Sequence, residues 1–305
     1  MSRNRILSQR TAHDIDQRVE RVLKGLGNPE PPLLLEDVRA LLKLDRGFYR
    51  ADAPGMADEV ISRIRVATIQ VYHRPTLIID VIKKLSLKAL YIPDRKRILL
   101  DGSLPEKKHR WNEAHEVGHS IIPWHDDMML GDNAQTLSHD CHEQIEAEAN
   151  FAAGRLLFLR ERFINEARDM LPTLDSVRAL HPKFGNTLST TLYRFVETRG
   201  LNLPMVGIIS GHPHRAANAG EPAIRHFIRS PIFAENFSNI QENEVFKAIS
   251  SYCGTQSGGP LGSEELLLTD DNGDKHIFFF ETFYNKYDAL TLGVYKRPAK
   301  VLSVP

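Results

Sequence analysis

The chain has 305 residues, 42% of them hydrophobic, and 39 Lys+Arg balance 39 Asp+Glu. The length suggests two domains at roughly 100–200 residues each, and the composition excludes wholesale disorder. A formal net charge of zero argues against coating nucleic acid through bulk electrostatics, while leaving room for a local basic patch.

In chain order, residues 8–26 read as an amphipathic helix. Ile15, Val19, Val22, Leu23 and Leu26 recur at helical spacing, and Gly25 and Gly27 close it. Asn28–Pro32 is a break, followed by a short helix over Leu34–Leu42 and a loop at Arg50–Gly55. Amphipathic segments follow at Ala57–Val71 and, after Arg74-Pro75, at Leu77, Ile78, Val81, Ile82 and Leu85. Ala89–Ile92 and Arg97–Leu100 read as two strands around a turn at Pro93-Asp94. A helix over Trp111–Ile122 is stopped by Pro123, residues 124–141 lack periodicity and read as loop, and His142–Leu159 is helical. Shorter helices are expected near 174–183 and 188–199. Beyond Gly200 the texture changes to strands at Pro204–Ser210, Ile224–Arg229, Glu265–Thr269, His276–Thr282 and Leu290–Lys296. Asp271-Asn272-Gly273-Asp274 is a hairpin turn signal. The last hundred residues thus read as a separate α+β domain.

Cys141 and Cys253 cannot build a disulfide framework. The charged N-terminus lacks the apolar segment of a signal peptide. Apolar runs such as Leu77–Val81 fall well short of the ~20 residues a membrane-spanning helix needs. The expectation is a soluble cytoplasmic protein without a membrane partner.

His115-Glu116-Val117-Gly118-His119 is an H-E-x-x-H sequence. On a helix, positions i and i+4 share a face, so two imidazoles can bind one metal ion. Glu116, beside the first imidazole, is placed to act as general base toward a water whose pKa the metal lowers toward about 7. Gly118 is a poor helix residue, so something is expected to pack closely against it. A catalytic zinc takes three protein ligands. Candidates for the third are His125, Asp126, Asp127, His139, His142, Glu143, Glu146 and Glu148. Glu146 is preferred because it lies near the start of the 142–159 helix, one turn before Asn150, which could orient a ligand by hydrogen bonding.

RWNEAHEVGHSII followed by EQIEAEANFAAGRLL resembles the ImmA/IrrE family of zinc metallopeptidases, whose pattern is AHExxH, then E-x-E-A-N-x-F-A-A-x-L-L. The segment ALYIPDRKRILLDGSLPEKKHR resembles the strand-turn-strand lead into that family's zinc helix. N-F-A-A here departs by one residue from N-x-F-A-A, just past the ligand. The resemblance implies a zincin-like core with His115, His119 and Glu146 as metal ligands and Glu116 as base. It implies a protein substrate, typically a helix-turn-helix repressor or antitoxin, and a helical, helix-turn-helix-like segment after the core. The expected layout is an α+β chain: a metallopeptidase domain over 1–160, a helical segment over 161–200, and a C-terminal α+β domain over 201–305 that senses a signal or positions substrate. The alternative is a non-catalytic zinc-fold regulator that only binds a partner.

Lesser features read as follows. Tyr91 is a candidate oxyanion helper through its phenol, or a core residue. Arg97–Leu100 either receives an extended peptide by strand addition or is an internal strand. In the helix-turn-helix-like stretch over residues 174–197, the second helix offers phosphates only Arg194 and, just beyond, Arg199, so direct nucleic-acid binding is not expected. His139, Cys141 and His142 suggest loop residues near the metal rather than a second site. His212–Arg215 reads as surface, and Phe278–Phe280 as sheet core.

Overall fold

A computed structural model describes residues 2–49, 89–92, 96–104, 106–129, 139–215 and 222–299. The expected features at Arg50–Gly55, Ala57–Val71, 77–85 and Pro93-Asp94 lie outside the described residues, as do the side chains of His139, Cys141 and His142. The fold is α+β, with ten helices and two sheets among the described residues. It divides into two compact units, residues 7–160 and residues 1–6 with 161–305.

The first unit begins with α1 (Gln9–Gly25), whose N-cap Ser8 accepts from the Thr11 amide and whose Ile15, Val19, Val22 and Leu23 form the buried stripe. After α2 (Leu35–Leu42) come β2 (Asp45–Tyr49), β3 (Ala89–Ile92) and β4 (Arg97–Asp101); β1 (Ser2–Arg3) belongs to the second unit. β4 is the middle strand, parallel to β2 and antiparallel to β3. Both of its edges are therefore used, so Arg97–Leu100 is an internal strand and has no free edge for a peptide. β2 escaped the sequence reading because Asp45, Arg46 and Gly47 are weak strand formers; pairing with β4 imposes the conformation.

Three helices complete this unit: α3 (Glu106–Ile121), α4 (Pro123–Met129) and α5 (His139–Leu157). Pro123 does stop α3, but it also starts α4, because proline fits the first helical turn. Residues 124–141, expected as loop, thus contain α4 and the first turn of α5. Among the described side chains of α4 the fully buried one is polar, His125, which hides the helical signal.

α3 lies on β3 and β4 and packs lengthwise on α5. A Cβ built on Gly118 would stand 2.7 Å from the Ala149 carbonyl oxygen and 3.3 Å from the Ala152 Cβ. The bare glycine is what lets the two helices approach this closely. Ala114, Val117, Ala149, Ala152 and Ala153 are fully buried around that contact. α5 is tied to α1 by a bidentate Arg155–Asp16 pair, and Arg160 reaches Glu20 at 2.9 Å. Buried Glu113 of α3 holds Arg39 of α2 at 2.6 Å and Arg46 of β2 at 3.0 Å.

The second unit contains α6 (Glu161–Asp169), α7 (Leu174–Lys183), α8 (Leu188–Arg199), α9 (Pro231–Asn236) and α10 (Glu242–Tyr252). Its sheet has the order β1-β6-β5-β9-β8-β7, formed by β1 (Ser2–Arg3), β5 (Met205–Ser210), β6 (Ile224–Arg229), β7 (Gly259–Thr269), β8 (Lys275–Tyr284) and β9 (Ala289–Pro298). All pairings are antiparallel except β1 with β6. The β7–β8 turn is held by Asp270, which accepts from the Asn272 and Asp274 amides, with Gly273 at φ 92°. β5 is buried on both faces: Val206 and Ile208 join Phe233, Phe237, Phe278 and Phe280 in one core, while Gly207 faces Val196 of α8.

α7 and α8 flank a turn containing Gly185 at φ 65°. α8 is packed on β5, β6 and β9. Its Arg194 is 6% exposed and reaches Glu197 at 3.4 Å, so it is not presented to a phosphate backbone. His212 is not a surface residue as expected; it is 6% exposed and bonded to the Gln256 carbonyl at 2.9 Å.

Gly118→Ala should lower stability to chemical denaturation by about 1–3 kcal/mol through overpacking, against a helix-propensity gain of roughly 1 kcal/mol. Unchanged or increased stability would show that α3 and α5 can separate at no cost.

Candidate metal centre

α3 and α5 each present a face with three- and four-residue spacing: His115, Gly118 and His119 on one, Glu146, Ala149 and Asn150 on the other. With Gly118 seated against Ala149, the polar members of both faces meet. The Nε2 atoms of His115 and His119 are 3.1 Å apart. Glu146 Oε2 is 3.2 Å from His115 Nε2, and Oε1 is 3.6 Å from His119 Nε2. Among the described residues this is the one group of ligand-type side chains whose donor atoms all lie within 4.8 Å of one another.

Those separations fit a single cation. Two ligands at the usual zinc distances of about 2.0–2.2 Å in a tetrahedron stand roughly 3.3–3.5 Å apart. The donor chemistry fits as well, with two imidazoles and one carboxylate as in catalytic rather than structural zinc sites. Exposure is graded: the His119 side chain is 3% exposed, that of His115 13% and that of Glu146 40%. The cluster therefore opens toward solvent on its carboxylate side.

Each imidazole is oriented through its other nitrogen. His115 Nδ1 lies 3.0 Å from Asn150 Oδ1, so its ring N–H donates there and Nε2 keeps its lone pair for the cluster. This is the role expected of Asn150 from its position one turn after Glu146. His119 Nδ1 lies 3.0 Å from His125 Nδ1, and His125 Nε2 lies 3.0 Å from Glu148 Oε2. Glu148 also accepts from Trp124 Nε1 at 2.6 Å and from Gln144 Nε2 at 2.6 Å. His125 and Glu148 were candidates for the third ligand in the sequence; in the fold they stand behind His119, away from the cluster. Glu148 is two positions beyond Glu146, about 200° around the helix, so one alone can face α3 and the other turns toward α4. That spacing was readable, but the position of α4 was not.

Glu116 is 5% exposed. Burial pushes its carboxyl up to about 7; the positive side of His115 and the backbone amide of Tyr91 pull it down, and the Glu146 charge pushes it further up. A carboxyl near 7 is matched to proton transfer at neutral pH. His115 is raised above the ordinary histidine value: its burial works against the charge, and Glu146, Glu116 and Asn150 outweigh that. Glu148 sits below the usual carboxylate range; burial alone would raise it, but the bonds from His125, Gln144 and Trp124 prevail. Tyr91, on β3, is 5% exposed, and its backbone amide donates to Glu116. From sequence Tyr91 read as an oxyanion helper through its phenol or as a core residue; its burial fits the second, and the role of its amide was not foreseen.

Residues 69–196 match the family model Peptidase_M78, described as the IrrE N-terminal-like domain. That stretch holds β3, β4, α3 to α7, most of α8 and every residue of the cluster. The match supports the chain's membership of the ImmA/IrrE family, a class of peptidases, here followed by a C-terminal sheet unit. Among solved structures, a Mycobacterium tuberculosis transcriptional regulator is similar with a TM-score of 0.52 and 16% identity, over 93% of this chain and 76% of that one. At that identity the likeness is one of fold. No curated protein matches the chain. Among the described residues, no helix is long and apolar enough to cross a membrane.

The raised carboxyl of Glu116 implies a stability cost at neutral pH. Its folded value, about 7, exceeds an unfolded value of about 4.3. Its contribution is thus complete below about 4.3 and lost as pH rises through 7. Glu116→Gln stays neutral throughout. In metal-free protein the variant should match wild type near pH 4, gain on it from about pH 5, and level off above pH 7 at up to about 4 kcal/mol more stable. Denaturation series in chelator across pH check this; a pH-independent difference would contradict the burial of a neutral carboxyl.

Proposed function

We propose that the chain is a zinc-dependent endopeptidase. The observation that supports this most is the convergence of His115, His119 and Glu146 beside the buried carboxyl of Glu116. His115, His119 and Glu146 hold the metal, and a zinc ion bound there supplies Lewis acidity, acidifying water and polarising a carbonyl. Glu116 is the general base: it takes a proton from the attacking water and passes it to the leaving amine. The amide of Tyr91 holds the Glu116 carboxyl in place, and its phenol is the further proposed catalytic group, donating to the oxygen that gains charge. The open, carboxylate side of the cluster is where the peptide enters. A pure binding module has no use for a base with a carboxyl poised near 7.

The substrate proposed is a protein, most simply a helix-turn-helix repressor or antitoxin, cleaved at one bond in the cytoplasm. The family resemblance and the regulator-like fold of the mycobacterial neighbour both favour a place in transcription regulation. In this reading residues 1–160 form the metallopeptidase domain, 161–200 a helical segment, and 201–305 a C-terminal domain that senses a signal or positions substrate.

Purified protein should carry about one zinc per chain and lose it in the His115→Ala, His119→Ala double variant, as elemental analysis can read. Glu116→Gln should keep fold and metal while cleavage of a co-expressed repressor falls by about 10²–10⁴-fold. Full biological activity in that variant would favour the binding reading instead. Because all three ligands lie in the 7–160 unit, a chain ending near residue 200 should retain metal yet lose regulation or substrate choice. A folded truncation without metal would contradict that division of roles.

A further inference from the structure

We propose that His125 and Glu148 are positioning residues that lock the ring proton of His119 on Nδ1, so that Nε2 is held ready for the cation. This rests on the metal reading above and adds to it a set of residues that touch neither cation nor substrate.

The argument is one of proton direction. Glu148 receives donors on both oxygens, from Trp124 and His125 on Oε2 and from Gln144 on Oε1. A carboxylate so engaged accepts only. His125 Nε2, 3.0 Å from it, must therefore carry the hydrogen. In a neutral imidazole that leaves His125 Nδ1 as an acceptor, and the atom facing it at 3.0 Å is His119 Nδ1. His119 must then donate from Nδ1, which frees Nε2. The reverse arrangement would put the lone pair of His125 Nε2 against a carboxylate inside a buried site, and would put a hydrogen on His119 Nε2 where the cation belongs.

Burial makes the relay rigid. His125 is fully buried, His119 is 3% exposed and Glu148 5%. Water cannot substitute for a lost partner there as it can in an exposed network. The contrast with His115 is informative: its partner Asn150 is exposed and carries no charge. The two histidines of the motif are thus unequal. His119 is fastened through a charged, buried chain running into α4 and α5, while His115 is oriented by one neutral amide. The turn at Ile122-Pro123 makes this possible, because it starts α4 immediately after α3 and brings His125 back over His119.

The test uses the full chain with Zn²⁺ itself as probe, by competition against a chromophoric chelator. His125→Leu removes the acceptor but keeps apolar bulk; His125→Asn keeps an oxygen acceptor near the position of Nδ1. The relay requires His125→Leu to weaken zinc binding by about 10–100-fold and His125→Asn to recover most of it. If His125 only fills space, the order reverses, with the leucine variant tolerated and the asparagine variant impaired. Nitrogen-15 spectra of the His119 ring in wild-type, zinc-free protein supply a readout independent of any variant's folding. They should show the hydrogen on Nδ1; a hydrogen on Nε2 would overturn the proposal. Wild-type zinc affinity in folded His125→Leu would do so as well. Loss of metal in the His115→Ala, His119→Ala double variant alongside such a result would leave the metal site standing and refute the relay alone, whereas metal retained in the double variant would refute the metal site itself.

Discussion

The approach of α3 to α5 at Gly118 is the constraint on which the rest of the first unit depends. Two helices separated by ordinary side chains stand about 8–10 Å apart. Here a glycine lies against the Ala149 backbone, with Ala152 beside it, and a single added carbon would meet the carbonyl oxygen at 2.7 Å. At that spacing, side chains one turn away on each helix reach a common point. His115 and His119 extend from one helix and Glu146 from the other, and their donor atoms gather within 4.8 Å. The small residues around the contact set how far apart these donor groups stand.

The same packing creates an electrostatic problem that the site solves by pairing. Burying carboxylates and imidazoles is costly unless each is hydrogen-bonded. Glu148 is satisfied by three donors and sits below the usual carboxylate range. Glu113 is satisfied by two arginines. Glu116 is given less support, and burial keeps its carboxyl near 7. The fold thus stabilises the charges that anchor the helices and leaves the one beside the imidazoles poised to exchange a proton.

The second unit follows a different logic. Its sheet carries helices against both faces of β5, so the central strand reads as continuously apolar rather than alternating. α8, which could have been mistaken for a DNA-reading helix, spends its buried face on that sheet. The pairing of buried Arg194 with Glu197 occupies one of the two basic groups, Arg194 and Arg199, that a phosphate contact could have used.

Much of this was readable from residue order, because it depends on local rules. The amphipathic stripe of α1, the Asp270–Asp274 turn and the adjacent β3 and β4 all follow from spacing and turn chemistry within a few residues. The i, i+4 pairing of His115 and His119, with Glu116 between them, is a property of any helix bearing that sequence. What lies across the chain was decided only by tertiary structure. β2 is a strand because β4 pairs with it, despite its own poor propensity. α4 is a helix whose buried residue, among its described side chains, is a histidine, so hydrophobic periodicity does not reveal it. Sequence offered His125, Glu146 and Glu148 as alternatives for one role. Folding gave them separate places, because residues two apart on a helix face different neighbours, and only the position of α3 and α4 against α5 determines which neighbour each one meets.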